Sequence, residues 1–348
     1  MFKQMVNPDL YHGRNSMRDF FEGWYFKVVD RSGKYSFALI PGVFWGKQEN
    51  EHHAFLQILD GKDVSYQYIT LPTSAFRTTD RPFAVVLTDV GKFTLQGFSV
   101  TVQTQQCNIE GELSFTYTKR WSDSWLSPGS MGAYNFIPGM QCYSQVCAME
   151  VGLSGELMKN GETISFDGGK GYIEKNWGRA FPYSWIWIQS NHFRHSDAAV
   201  SCSIGHIPLL WTSFRGFLIG LYLDDTFYEF TTMNGSKMEI VSTNPDMEIH
   251  VSNKKHRLRI QTSCRPETFI LCRGPRNGEM VPMVEECLQG QLEVSLHENE
   301  SGICVWSDKA DATGLEYGGD QMKIIDELLR KDEAASAKEK NSLQGPRL

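Results

Sequence analysis

Several things are missing from this sequence, and each absence narrows the function. No stretch of its 348 residues approaches the roughly 18 uninterrupted apolar residues of a membrane-crossing helix. The most apolar run, 185–193, is strand length. The N-terminus, MFKQMVNPDLYHGRNSMRDFF, has no apolar run leading to a small-residue cleavage site. Too little chain precedes the first motif to hold a transit peptide, so the expectation is a cytoplasmic protein with no integral membrane segment and at most a peripheral membrane contact. Dense Lys/Arg segments are absent and the net charge is −7, which argues against nucleic acid as a partner. Eight cysteines (107, 142, 147, 202, 264, 272, 287 and 304) contain no C-x-x-C pair. Neither a zinc ribbon nor a disulfide framework is expected, and the cysteines read as small buried hydrophobes. The sequons at Asn234 and Asn299 would matter only in a secreted protein.

Helical periodicity is also scarce. It is convincing only over 321–331, where Ile324, Ile325, Leu328 and Leu329 share one face ahead of a charged tail. The rest breaks into short runs rich in Val, Ile, Phe, Tyr, Trp and Thr, punctuated by Gly, Asp, Asn and Pro. Strands are expected over 24–29, 35–41, 54–59, 83–88, 98–104, 110–117, 151–158 and 162–166. The pattern resumes over 185–193, 217–223, 226–232, 237–242, 247–252, 257–262, 290–297 and 302–307. Asn160-Gly161 is a two-residue hairpin signal. This spacing favours antiparallel barrels or sandwiches, and the length favours two cores over one large β unit. The aperiodic stretch 120–138 reads as a crossover between the halves or as a lid.

Two segments carry the chemistry. In Phe20-Phe21-Glu22-Gly23-Trp24-Tyr25-Phe26-Lys27-Val28, strand alternation puts Glu22 on one face with Phe20, Trp24, Phe26 and Val28. Desolvation there would raise the Glu22 pKa and make it a proton donor. The competing reading is a structural ion pair with Arg18 or Arg179. The second segment runs from Gly171 through Glu174, Asn176, Trp177 and Arg179 into Trp185-Ile186-Trp187-Ile188-Gln189-Ser190-Asn191-His192-Phe193. As a strand, Trp185, Trp187, Gln189, Asn191 and Phe193 share a face that suits either a pocket wall or an inter-sheet core. His192-x-x-His195 and His52-His53 have too few partners for a metal site, so no metal is expected. Gly168-Gly169-x-Gly171 reads as a turn rather than a phosphate loop.

Together these segments, FFEGWYF and EKNWGRAFPYSWIWIQSNHF, resemble the tocopherol cyclase-like family. The resemblance continues in GLSGELMKNGETISFDGG and ECLQGQLEVSLHE. It implies a mainly β fold of two lipocalin-like antiparallel β-barrels packed together, similar to carotenoid hydratase-type and AttH-like proteins. On that basis residues 1–165 form the N-terminal barrel, 166–320 the C-terminal barrel, and 321–348 a short helix and frayed tail.

The resemblance further implies an intramolecular lyase of the isomerase class. Without cofactor, an acid protonates a prenyl double bond of a (hydro)quinone and a phenolic hydroxyl captures the carbocation. Glu22 and Glu174 are then the candidate acids, and His192 or Tyr25 would receive the phenolic proton. Trp24, Trp177, Trp185 and Trp187 are candidate cation-facing walls. Asn176, Arg179, Gln189, Asn191, Gln141 and Tyr143 complete the candidate substrate contacts. One departure stands out: where the family carries a Glu and a His, this chain has Gln141 and Ser144, and an amide donates no acid proton. The alternative function is a non-catalytic lipocalin-like carrier of a hydrophobic prenyl or aromatic ligand.

Overall fold

The computed structural model describes residues 4, 6–15, 18–124, 127–209, 212–243 and 246–319. The helix expected over 321–331 and the tail after it lie outside the described residues. Twelve strands form one sheet: β1 (Phe20–Val29), β2 (Ser36–Trp45), β3 (His53–Asp60), β4 (Ser65–Leu71), β5 (Phe76–Asp80), β6 (Phe83–Leu87), β7 (Gly91–Thr94), β8 (Gly97–Gln103), β9 (Asn108–Lys119), β10 (Cys142–Lys159), β11 (Glu162–Ser165) and β12 (Lys170–Gly178). Eleven form the other: β13 (Ser184–Ser190), β14 (His192–Phe193), β15 (Ala198–Leu209), β16 (Thr212–Leu223), β17 (Thr226–Thr231), β18 (Lys237–Thr243), β19 (Asp246–Ser252), β20 (His256–Ser263), β21 (Ile270–Arg276), β22 (Glu279–Glu298) and β23 (Cys304–Gly319). Both sheets are antiparallel and curled.

The two sheets share one plan. The first strand of each pairs with the last, β1 with β12 and β13 with β23. Each hydrogen-bonded path also ends on strands adjacent in the chain, β4 and β5 in the first and β17 and β18 in the second. Such a path brings the two ends of the sheet round toward one another, which is how a lipocalin-like barrel hides its interior. The Asn160-Gly161 signal is a hairpin turn between β10 and β11, with φ of 50° and 86° at its two residues. The sheets change over within 179–183, so β12 belongs to the first barrel. A boundary at 165/166 mistakes the glycine-rich bend between β11 and β12 for a linker. Likewise 120–138 joins β9 to β10 inside the first sheet and does not cross between the halves. Among the described residues no helix is long and apolar enough to cross a membrane.

Strand alternation sorts the side chains into three apolar layers. Phe20, Trp24, Phe26 and Val28 of β1 fill the first barrel, while Ile186 and Ile188 of β13 fill the second. The opposite faces of the same strands meet between the barrels, where Tyr25 and Tyr172 pack with Trp185 and Trp187. Inside the first barrel, Glu22 and Lys175 are both fully buried and ion-paired at 2.7 Å. Lys175 Nζ also donates to the carbonyls of Pro8 and Leu10, while the His12 and Gly13 N–H groups donate to Glu22. The pair thereby fastens the segment before β1 into the barrel. Removing one member leaves the other charge buried alone, so Glu22→Ala should cost about 3–5 kcal/mol in urea unfolding. An unchanged midpoint would contradict this account of the barrel.

Candidate active site

A cavity of about 920 Å³, its open mouth included, lies between the two barrels. The pairing of β1 with β12 builds one wall. Tyr25 sits opposite Glu174, and alternation turns Tyr25, Glu174 and Asn176 toward the cavity while Trp24, Lys175 and Trp177 turn into the barrel. Trp185 and Trp187 of β13, with Ser203, Phe217 and Leu218, form the other wall. Met131, Tyr134 and Met140 from the β9–β10 connection cover it, and Tyr134 stacks on Phe214 of the second sheet at 5.8 Å.

Two carboxylates border the cavity, and each receives an indole N–H. Glu174 accepts from Trp187 Nε1 at 2.7 Å, Tyr172 Oη at 2.6 Å, Ser144 Oγ at 2.9 Å and Asn176 Nδ2 at 3.2 Å. Glu316 of β23 accepts from Trp185 Nε1 at 2.5 Å. It lies opposite Trp187 on one neighbouring strand and opposite Glu286 on the other. Its place between the indoles is cut by two glycines. A Cβ on Gly314 would meet the Trp187 ring at 2.7 Å, and one on Gly318 would meet the Trp185 ring at 1.9 Å. Burial pushes the Glu316 pKa up to about 7 and nearby Glu174 adds to the rise, against the lowering effect of the Trp185 hydrogen bond. Behind it, Glu286 accepts from Tyr25 Oη at 2.5 Å, and burial with the adjacent Glu316 holds its pKa well above the carboxylate range.

The tocopherol cyclase-like family model matches residues 18–319. The chain belongs to that family. Two curated relatives are similar to it: the probable chloroplastic tocopherol cyclase of Oryza sativa subsp. japonica, 25% identical over 366 residues, and the chloroplastic tocopherol cyclase of Zea mays, 25% identical over 367 residues. Each alignment covers 89% of this chain and 77% of the relative. Among solved structures, CghA superposes with a TM-score of 0.55 at 10% identity, covering 86% of this chain and 88% of CghA, a likeness of fold.

Against this family background, the residues named from sequence divide sharply. Glu174, Asn176, Tyr143, Tyr25, Trp185 and Trp187 line the cavity. Glu22 does not: it faces the barrel interior. Burial alone would raise its pKa, but Lys175 and His12 outweigh that and bring it below the usual range. It is a structural anion, and its partner is Lys175 rather than Arg18 or Arg179. Trp24 fills the first barrel, and Trp177 stacks between His12 at 4.1 Å and Tyr143 at 5.3 Å. Neither faces the cavity.

His192 is remote from both cavity carboxylates. Its Nε2 lies 3.0 Å from the Asp30 carbonyl, and burial lowers its pKa to about 4. Tyr25 is no base either. Burial and Glu286 keep its hydroxyl protonated far above neutrality. Gln189 is engaged by buried Lys27 at 2.8 Å, and Asn191 donates to the Gly171 carbonyl at 2.8 Å. Phe193 breaks the alternation of its neighbours and packs into the second core. Arg179 is exposed, and Gln141 donates to the Phe181 carbonyl at 3.0 Å, outside the cavity lining.

Glu316 was missed because the expected last strand stopped at residue 307, and Glu286 because the strand before it was expected to begin only at residue 290, whereas β22 starts at Glu279 and β23 runs to Gly319. The signal was present as Gly314-x-Glu316-x-Gly318, a carboxylate flanked at period two by residues without side chains.

The raised Glu316 pKa has a stability consequence. Below about pH 4.5, the ordinary value, folded and unfolded chains both keep this proton. Between there and about 7 only the folded chain keeps it, so stability falls as pH rises and the full penalty stands above 7. Glu316→Gln, whose carbonyl can still accept from Trp185, should therefore raise the unfolding midpoint at pH 8 and leave it nearly unchanged at pH 4.5. Equal effects at both pH values would rule out a raised Glu316 pKa.

Proposed function

We propose that this protein is an acid-catalysed cyclase that closes an oxygen ring on a prenylated phenol or hydroquinone. The observation carrying this reading is Glu316: a carboxyl with a pKa of about 7, set between two indoles on the wall of an aromatic cavity. A general acid works best with a pKa near the operating pH, and burial supplies that value here.

Glu316 gives its proton to the less substituted carbon of the prenyl double bond, leaving a tertiary cation. The faces of Trp185 and Trp187 and the negative charge of the cavity stabilise that cation, an indole face contributing about 2 kcal/mol when desolvated. The phenolic oxygen attacks the cation while Glu174 takes the phenolic proton, the phenol having displaced Ser144 or Asn176 from Oε1. One C–H and one C–O bond form, the π bond and the O–H bond break, and the product is an isomer of the substrate. The proton returns to Glu316 between turnovers, so no cofactor is consumed. Water exclusion by the lid prevents capture of the cation as an alcohol.

Incubation with a prenylated hydroquinone should yield a product of unchanged mass and altered retention. The rate should fall tenfold per pH unit above about 7, and Glu316→Gln should lose about 10²–10⁴-fold in kcat while retaining the fold. Binding of several such ligands without turnover, equally tight in parent and Glu316→Gln, would overturn the enzyme reading and leave a carrier built on the same cavity.

A further inference from the structure

The cysteines are not uniformly buried hydrophobes. Cys304 is exposed and Cys264, just after β20, is half-buried. Cys264 Sγ lies 3.2 Å from Cys287 Sγ, which is itself fully buried at the irregularity where β22 departs from its register with β23. Thr268 Oγ1 lies 3.2 Å from each sulfur, and the Gln289 N–H points at Cys287 Sγ from 3.2 Å. The Cys264 thiol and the Gln289 N–H therefore both donate to this one sulfur, while the Thr268 hydroxyl gives its proton to the Arg265 carbonyl at 2.6 Å. Together they stabilise a thiolate on Cys287, bringing its pKa down to about 6 despite burial, with Lys27 adding a smaller effect. Nothing in the cyclisation uses either residue.

We propose that Cys264 and Cys287 form a reversible oxidation site that closes to a disulfide when the protein meets a hydroperoxide. The Cys287 thiolate attacks one peroxide oxygen, the O–O bond breaks, and hydroxide or alkoxide leaves, giving a sulfenic acid on Cys287. The Cys264 sulfur then attacks the sulfenic sulfur. The S–S bond forms, the S–O bond breaks, and the departing hydroxide carries off the Cys264 proton as water. Two thiols are oxidised and one peroxide is reduced. The sulfurs need approach by only about 1 Å to reach the ~2.05 Å of a disulfide. Cys264 serves as the resolving thiol, and its partial exposure gives a reductant access for the return step.

The test is independent of the cyclase reading. The purified, fully reduced chain is treated with hydrogen peroxide, remaining thiols are alkylated, and the non-reducing digest is analysed by mass spectrometry. The expected result is a cross-linked pair of peptides containing Cys264 and Cys287, lighter by two hydrogens than the sum and separated by dithiothreitol. In Cys264→Ser, lacking the resolving thiol, Cys287 should proceed to sulfinic and sulfonic acids. Recovery of both residues as alkylated thiols in the treated parent would overturn the proposal. So would equal over-oxidation of Cys287 in parent and Cys264→Ser.

Discussion

The register between β1 and β12 is the constraint on which the rest of the molecule depends. A strand sends successive side chains to opposite faces, so one pairing decides two environments at once. With Tyr25 opposite Glu174, Glu22 and Lys175 meet inside the first barrel while Glu174 and Asn176 face the cavity. A slip of one residue would turn one of the two strands over, carrying either the Glu22 charge into the cavity or Glu174 into the apolar interior, and would part Glu22 from Lys175. The ion pair that fastens the N-terminal segment and the wall of the cavity are therefore two sides of a single ladder.

Burial then separates carboxylates that are identical as chemistry. Glu22 has a cation beside it and is held as an anion; Glu316 is buried near a second carboxylate, Glu174, and rises toward neutrality. Four donors converge on Glu174, whereas Glu316 has the Trp185 N–H. Each carboxylate takes one tryptophan of β13, so Tyr172, Ser144 and Asn176 make the difference, and the glycines at 314 and 318 give the two indole rings room. Two carboxylates in unlike surroundings on one aromatic cavity follow from strand packing.

Much of the fold was legible in the sequence because its turns are chemically explicit and its strands alternate. The outward face of β13 could be read from Trp185 and Trp187, and Glu174 from its neighbours in the long motif. The proton donor could not be read the same way. Glu22 stands among aromatics in the sequence and Glu316 does not, yet the aromatics around Glu22 belong to a core that also holds Lys175, 153 positions away in the chain. Alternation says which face a carboxylate takes but not whether a distant lysine shares that face. The β12 boundary was misplaced for a related reason, since a glycine-rich bend inside a sheet and a linker between sheets have the same local composition. Gln141 and Ser144, which the resemblance alone set against a Glu and a His, also separate in space: Ser144 touches Glu174, while Gln141 ties down the chain at Phe181.

The chemistry proposed for this cavity rests on one carboxyl, Glu316, holding its proton near neutrality. Infrared difference titration of the parent against Glu316→Gln measures this directly. A protonated-carboxyl stretch that disappears with a midpoint near pH 7 in the parent, and is missing from the variant, is the predicted result. A carboxyl already ionised by pH 5, or a band titrating identically in both proteins, would contradict it.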